Sequence, residues 1–146
     1  MTIDTAPALK ALNAQRAKHG APPLKLDPKL AAYAQAHADK GVFAHSKGPH
    51  GENMALNWAA TPAAACVDSV NLWYAELPKY SFAKPGFGME TGHFTANVWK
   101  STARVGFGVA KMVCGDYKGA WLIVASFDPP GNMQGAFPAN VLPAKK

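Results

Sequence analysis

Cysteine is scarce in this 146-residue sequence, which contains only Cys66 and Cys114 and no CxxC pair. Two cysteines are too few for a disulfide-rich scaffold, and the count alone is compatible with one bridge or with two free thiols. We expect two free thiols, because Cys66 falls in a predicted helix and Cys114 at the end of a predicted strand. Nothing in the sequence brings their Cα atoms within the about 7 Å that a disulfide requires.

Long apolar runs and common catalytic motifs are also missing. No stretch approaches the roughly 20 apolar residues that a transmembrane helix needs. An HExxH zinc motif and a GxSxG nucleophile motif are absent, and neither cysteine has a histidine beside it, so nucleophilic catalysis has little support. The first residues, MTIDTAPALKAL, lack the basic and apolar regions of a signal peptide. We therefore expect either an intracellular chain or a mature secreted one whose signal peptide was removed.

Acidic residues are few, with 9 Asp and Glu against 15 Lys and Arg, which gives a net charge of +6. The basic residues are scattered apart from Lys145 and Lys146. No basic stripe alternates with aromatic residues, so we expect no nucleic-acid partner. A peripheral membrane surface is a candidate partner, and a lysine-rich solvated surface explains the charge equally well.

The pattern of hydrophobic residues, which form 49% of the chain, predicts a single globular domain over 1–146. Its Pro/Gly-rich segment 129–146 is expected to be an extended tail on the surface. Capping residues, prolines and glycines delimit three predicted helices, from Pro7 to Gly20, from Asp27 to Gly41 and from Thr61 to Pro78. Two predicted strands follow, at 103–112 and 119–128. Helices before strands favour an α+β domain with a mostly antiparallel sheet.

Histidines and glutamates that could bind a metal or transfer protons occur in three places. They are His45, His50 and Glu52 in one loop, Glu76 at the end of the third helix, and Glu90 and His93 around a second loop. Two imidazoles and two carboxylates that meet in a cleft can bind zinc or carry out acid–base chemistry. The spacing alone leaves open whether they do so or only hydrogen-bond one another. His37, on the apolar face of the second helix, is expected to be a core-edge residue.

The segment 78–92 is unusually apolar for a loop rich in proline and glycine, and we name it the apolar loop. It carries Tyr80, Phe82, Phe87 and Met89. Such side chains either pack against the domain or form an exposed ligand-binding patch, and the sequence leaves both interpretations open.

Three short motifs occur along the chain in the order in which a known protein family has them. They are HGENMA at His50–Ala55, GHFTANVWKST at Gly92–Thr102 and DPPGN at Asp128–Asn132. Together they resemble the GENLA element, the signature and a further motif of the CAP superfamily of cysteine-rich secretory proteins, antigen 5 and pathogenesis-related 1 proteins. The segments RAKHGAPPLKLDPKL and ANVLPAKK resemble the Golgi-associated branch of that family, so the likeness covers nearly the whole chain.

The resemblance implies an α–β–α sandwich with a central antiparallel sheet. It also implies that the signature begins as a short helix capped by Thr91, with Phe94 and Val98 facing the core. The family's tetrad falls on four residues that would line a shallow cleft, His45, Glu52, Glu76 and His93. His45 and His93 would hold zinc or another divalent metal weakly, with the glutamates near its waters, whereas His50 and Glu90 match no tetrad position.

The resemblance also implies a function. CAP members bind sterols, fatty acids or phosphoinositides, and sterol binding maps to the apolar loop in fungal members, so we expect non-enzymatic lipid binding in defence or secretion. One alternative is a metal-dependent hydrolase that uses the tetrad, with Glu52 or Glu76 as general base. Another is a protein-interaction module, monomeric or weakly dimeric.

Departures from the family pattern limit what the resemblance implies. Phe107 and Ala125 stand where secreted members often have cysteines, so Cys114 is expected to lack its family partner. Glycine does not follow Met1, so the myristoylation of the Golgi-associated branch is not expected here. The family favours a secreted, extracellular location, and an intracellular membrane-associated location is the alternative.

Overall fold

A computed structural model describes residues 3–145, and the predictions that concern Met1, Thr2 and Lys146 lie outside the described residues. The elements are α1 (Ala6–Lys18), β1 (Lys25–Leu26), α2 (Pro28–Asp39), β2 (Gly51–Asn57), α3 (Pro62–Tyr74), α4 (Gly92–Asn97), β3 (Arg104–Lys111), β4 (Trp121–Asp128) and α5 (Phe137–Asn140). All the predicted helices and strands are present. The third helix ends earlier than expected, at Tyr74, and Pro78 lies in the short 3-10 turn Leu77–Lys79 that follows.

The starts of α2 and α3 follow from capping side chains. The Asp27 carboxylate accepts hydrogen bonds from the backbone amides of Lys29 and Leu30, at 2.7 and 3.3 Å. The Thr61 hydroxyl oxygen accepts one from the amide of Ala64 at 3.1 Å. A proline follows each capping residue, where its fixed φ suits the first turn and its missing N–H group is not needed.

The four strands form one sheet in the order β1-β3-β4-β2. Strand β4 pairs antiparallel with both β3 and β2, whereas the two-residue β1 pairs parallel with β3. The sheet is therefore antiparallel except at one short edge. The α+β fold class is confirmed.

Side chains alternate between the two faces of the sheet, and helices cover both faces. On one face, Val105, Phe107, Val109, Ile123 and Phe127 form a core with residues of α1 and α3. On the other face, Leu122 and Val124 pack with Ala34 and Ala38 of α2. This arrangement is the α–β–α sandwich that the family resemblance implies.

Two glycines allow α2 to lie directly on β3. A Cβ atom added to Gly106 would come within 2.1 Å of the backbone nitrogen of Ala31, and one added to Gly108 within 2.4 Å of the carbonyl carbon of Ala34. The helix also bonds to the strand, because the Gln35 side chain donates to the carbonyl oxygen of Val109 at 2.8 Å. Small residues on β3 thus bring the helix backbone into contact with the strand.

The C-terminal segment is more closely packed than the predicted surface tail. It contains α5, whose Phe137 is 2% exposed, and Val141 is 3% exposed. Both join a second core cluster with Phe94, Val98 and Trp99. The prediction of a purely surface tail is wrong, because apolar residues spaced four apart cover the core beside α4.

Both cysteines are free, as expected. Cys66 is buried in the core, where burial raises the pKa of its thiol to about 12, and Cys114 is exposed in the turn after β3. Among residues 3–145, no helix combines the length and the hydropathy that crossing a membrane would require.

Candidate functional site

The first half of the candidate site is the pair His45 and Glu52. Glu52 is the second residue of β2, and its Oε1 atom lies 2.9 Å from Nδ1 of His45. The amide of Ser46 donates to the same oxygen at 2.9 Å, and the hydroxyl of Ser46 donates to Oε2 at 2.7 Å. The Glu52 side chain is 7% exposed and that of His45 is 62% exposed. The nearly buried carboxylate of Glu52 therefore positions the solvent-exposed imidazole of His45.

The pKa of the Glu52 carboxyl is below its usual value. Burial by itself would raise this pKa, but hydrogen bonds from the hydroxyl and amide of Ser46, and from His45, outweigh burial because they stabilise the carboxylate. A carboxylate of lowered pKa is a weaker base, so Glu52 is better suited to holding His45 than to removing a proton from a substrate.

The second half of the site is the pair His93 and Glu76. Oε2 of Glu76 lies 2.9 Å from Nδ1 of His93, and Oε1 accepts a hydrogen bond from the amide of Phe94 at 2.9 Å. Glu76 thus satisfies a free amide in the first turn of α4. The resemblance assigned the cap to Thr91, but the Thr91 side chain makes no capping bond and its hydroxyl donates to the carbonyl of Gly88. That expectation is wrong, because the Glu76 carboxylate, just after α3, accepts from the Phe94 amide instead.

The His93 ring is held on further sides. It stacks on the ring of Trp73, with centroids 6.1 Å apart and planes 21° apart. Trp73 is itself fixed, since its indole N–H donates to the carbonyl of Met54 at 3.0 Å. The amide group of Asn53 donates to the carbonyl of His93 at 3.1 Å. These contacts fix both the ring and the backbone of His93 before any ligand arrives.

Both histidines open onto one cleft of about 500 Å³. It is lined by His45, Ser46, Lys47, Gly48, His50, Gly51, Glu52, Asn53, Phe87, Met89, Gly92, His93, Pro130, Gly131 and Asn132. Glu76 lines an adjoining groove of about 540 Å³, which shares His93 with the cleft. His93 therefore stands between two depressions, and the tetrad spans them.

Two residues outside the tetrad take different places. His50 lines the same cleft, with its ring edge-on to Tyr33 at a centroid distance of 4.9 Å. Glu90 is exposed and lines neither the cleft nor the adjoining groove. The cleft thus contains three imidazoles, whereas the tetrad supplies two.

The histidines of the tetrad could supply part of the coordination of a metal ion. Each tetrad histidine places Nδ1 on a carboxylate, which is the usual way to orient an imidazole whose Nε2 binds a metal. Two imidazoles provide only part of a tetrahedral zinc site. Within residues 3–145, no three His, Cys, Asp or Glu side chains are grouped closely enough to hold a metal. A metal in this cleft would therefore need water or a ligand to complete its coordination.

The apolar loop divides into a buried part and an exposed part. Tyr80 is 8% exposed and belongs to the core cluster around Phe94, and Phe82 packs on Tyr80 with centroids 5.0 Å apart. Phe87 is 59% exposed and Met89 is 87% exposed, and both line the cleft. Of the two interpretations of this loop, packing against the domain therefore applies to Tyr80 and Phe82, and exposure applies to Phe87 and Met89.

Sequence reasoning missed Arg16, which is fully buried. Its guanidinium donates to the carbonyl oxygens of Pro22, Asn97, Trp99 and Thr102 at 2.8 to 3.0 Å. Burial lowers the pKa of Arg16 to about 10, so the group still carries its charge at neutral pH. Arg16 binds the chain just after α4 and so helps to fix the helix that carries His93. A signal existed, since Arg16 follows the buried Leu12 by four residues on one helix face.

Comparison with known sequences gives a family assignment. Residues 9–127 match the model of the family described as "CAP: Cysteine-rich secretory protein family". The chain is 41% identical to the Golgi-associated plant pathogenesis-related protein 1 of Homo sapiens, over 94% of this chain and 92% of that protein. It is 38% identical to Secreted protein RBT4 of Candida albicans, over 89% of this chain and 36% of that protein. It is 36% identical to Pathogenesis-related protein 1 of Arabidopsis thaliana, over 85% of this chain and 75% of that protein.

Solved structures agree with this assignment at the level of the fold. A crystal structure of NaASP2 with Zn²⁺ superposes with a TM-score of 0.76 at 22% identity, and the match covers 100% of this chain and 88% of that one. Venom allergen-like protein 4 of Schistosoma mansoni superposes with a TM-score of 0.74 at 20% identity, over 100% of this chain and 97% of that one. By sequence and by fold, the chain belongs to the CAP family of cysteine-rich secretory proteins.

Proposed function

We propose that this CAP domain is a non-enzymatic lipid-binding protein, and that Phe87 and Met89 take the apolar part of the lipid at the rim of the cleft. The observation that carries the proposal is that these two exposed apolar side chains line the same cleft as His45 and His93. The lipid is a sterol, a fatty acid or a phosphoinositide, the classes known for this family.

Phe87 is exposed but has a defined position. A Cβ atom added to Gly92 would come within 2.8 Å of the Phe87 ring, so the ring lies against the glycine at the start of α4. A fixed aromatic side chain loses little conformational entropy when it binds a ligand. Covering such a side chain with an apolar ligand contributes on the order of 1.5–3 kcal/mol.

The cleft suits an amphiphile because its polar and apolar parts are distinct. Phe87 and Met89 provide the apolar rim, and His45, Lys47 and His93 provide polar groups in the same cleft. An amphiphilic ligand would place its body on the rim and its polar head among these groups. This arrangement favours a lipid with one compact polar head.

Replacing Phe87 and Met89 together by serine is expected to weaken cholesterol binding about a hundredfold or more, because two apolar contacts are lost. Binding of radiolabelled cholesterol would measure the change. The matched control is Leu26→Ser with Met133→Ser, two side chains that are 42% and 54% exposed and do not line the cleft. Tyr80 stays unchanged, because its removal would disturb the core. Cholesterol binding that survives in the first variant would contradict the proposed loop site.

We also propose that His45 and His93 bind a divalent metal such as zinc with modest affinity. The support is the placement of each Nδ1 on a glutamate. A structure of the same fold, that of NaASP2, was determined with Zn²⁺. The carboxylates would orient the rings, and the zinc would act as a Lewis acid when bound.

Replacing His45 and His93 by alanine is expected to abolish zinc binding measured by isothermal titration calorimetry. Cholesterol binding should fall by about tenfold at most, since imidazoles add little apolar contact and a hydrogen bond to the sterol hydroxyl contributes about 0.5–1.5 kcal/mol. His50→Ala is the matched control, because His50 lines the cleft but lies outside the tetrad. Zinc affinity lost in the His50 variant and kept in the double variant would reject this ligand assignment.

The hydrolase alternative has weaker support. Both oxygens of Glu52 and both oxygens of Glu76 already accept hydrogen bonds from the protein. Carboxylates engaged in this way favour positioning of the histidines over proton transfer to a substrate.

We further propose a secreted location, because the name of the Candida relative describes a secreted protein. Intracellular membrane association is the alternative, because the name of the human relative describes a Golgi-associated protein.

A further inference from the structure

A buried histidine joins the C-terminal residues to the end of α1. His19, which follows α1, is 1% exposed and lines neither the cleft nor the adjoining groove. Its Nδ1 atom lies 2.7 Å from the carbonyl oxygen of Leu142, and its Nε2 atom lies 2.9 Å from the hydroxyl oxygen of Tyr74 on α3. One imidazole ring therefore connects α1, α3 and the C-terminal residues.

A second contact between the C-terminal residues and α1 is made by the backbone. The amide of Lys145 donates to the carbonyl oxygen of Lys18 at 2.7 Å. A Cβ atom added to Gly20 would come within 3.5 Å of the Lys145 side chain and 3.8 Å of the Leu142 side chain, so both side chains lie against the end of α1. We name residues 141–145 the C-terminal latch.

The C-terminal latch covers apolar side chains in and just after α4. Val141, its first residue, is 3% exposed and belongs to the core cluster that contains Phe94, Val98 and Trp99. The ring of Phe94 also lies edge-on to the ring of His19, with centroids 5.4 Å apart. Release of the latch would therefore uncover apolar surface beside α4.

The two hydrogen bonds of His19 require a neutral ring. A carbonyl oxygen can only accept, so Nδ1 carries the proton that bonds to Leu142, and Nε2 accepts from the hydroxyl of Tyr74. A second proton, on Nε2, would turn this acceptor into a donor that faces the Tyr74 hydroxyl. It would also place a charge among buried apolar side chains, which is costly. Protonation of His19 therefore opposes the closed latch.

The surroundings of the ring provide no anion to offset that charge. The charged and titratable groups near it are three cations and a phenol, Lys18 and Arg16 of α1, Lys145 of the latch and Tyr74 of α3. Helix α4 contributes the uncharged Phe94. Within residues 3–145, no carboxylate forms an ion pair with His19. Burial lowers the pKa of His19 below its usual value of 6.5 and Lys18 lowers it further, whereas the bond to Leu142 offsets only part of this.

We propose that acid opens the C-terminal latch, because a proton taken up by His19 removes the acceptor for Tyr74 and cannot be accommodated while the ring is buried. When the latch is open, the ring is in water and binds a proton near its usual pKa of about 6.5. The closed form binds fewer protons, so it is fully stable above this pH and loses stability as the pH falls below it. Each pH unit below this value shifts the equilibrium toward the open form by up to about tenfold, until the closed form is protonated as well. The latch acts independently of the proposed lipid and metal sites.

Hydrogen exchange followed by NMR tests the proposal, because the Lys145 amide bonds directly to Lys18. The protection factor of this amide should fall at least tenfold between about pH 7.5 and pH 5. The amide of Val124, which is fully buried in the central strand β4, should keep its protection and so exclude global unfolding. His19→Gln is the matched variant, because its amide group keeps a donor and an acceptor but takes up no proton. Protection of Lys145 in this variant should not depend on pH.

A protection factor of Lys145 that does not change with pH in the native protein would overturn the proposal. The same pH dependence in His19→Gln as in the native protein would also overturn it. If this variant does not fold, the ring of His19 in the native protein decides the question. Its NMR resonances should titrate below about pH 6.5, and titration at or above this pH would show that the closed latch accommodates the charged ring.

Discussion

Replacing Arg16 by methionine is expected to lower the free energy of unfolding by about 3–5 kcal/mol. The guanidinium donates to four backbone carbonyl oxygens, which belong to Pro22, Asn97, Trp99 and Thr102. Methionine fills much of the volume but donates to none of them. Buried acceptors left without a donor cost about 1–3 kcal/mol each before the surroundings relax. Urea-induced unfolding would measure the loss.

Arg104→Met is the matched control for that experiment. Arg104 is 47% exposed at its side chain and makes ion pairs with Asp27 and Asp128. Exposed ion pairs contribute about 0–1 kcal/mol, so the control should lose little stability. Similar losses in the two variants would contradict a special role for Arg16.

Replacing Gly108 by alanine is expected to have a comparable effect, of about 3 kcal/mol or more, or to prevent folding. The new Cβ atom would lie 2.4 Å from the carbonyl carbon of Ala34 and 2.5 Å from its oxygen. These atoms belong to a helix backbone and not to the tip of a side chain, so α2 as a whole must move away. Overpacking of a core usually costs about 1–3 kcal/mol, and a clash with backbone lies at the upper limit. Thermal and urea unfolding would both report it.

Gly115→Ala separates this clash from the ordinary cost of losing a glycine. Gly115 has a φ of +79°, and an added Cβ would meet nothing within 4 Å. Alanine there suffers only the backbone penalty, about 1–2 kcal/mol. If the Gly108 variant is as stable as the Gly115 variant, α2 can move away from β3 at a lower cost in free energy than the distances indicate.

Local chemistry made much of the fold predictable from the sequence. Asp27 and Thr61 mark helix starts because a short polar side chain before a proline can satisfy free amides. The strands β3 and β4 follow from alternation and β-branched residues. The family motifs then identified His45 and His93 as members of one cleft, which the spacing of these residues alone could not do.

Other features depend on contacts between distant segments, which no local pattern encodes. Arg16 is buried because carbonyls more than 80 positions further along the chain accept its hydrogen bonds. Tyr80 and Phe87 look alike in an apolar loop, yet the path of the backbone buries one and exposes the other. The capping of α4 by Glu76 needs the end of α3 to lie beside it, which is a property of the tertiary fold.

The placement of Nδ1 on a glutamate has a consequence for the tautomers of His45 and His93. A carboxylate accepts, so each neutral ring keeps its proton on Nδ1 and presents a lone pair at Nε2. The cleft therefore offers these two nitrogens as acceptors to an incoming molecule. A hydroxyl group can donate to them, whereas a carbonyl group cannot. An alcohol and a metal ion would compete for the same lone pairs, so a ligand's polar head and zinc should exclude each other.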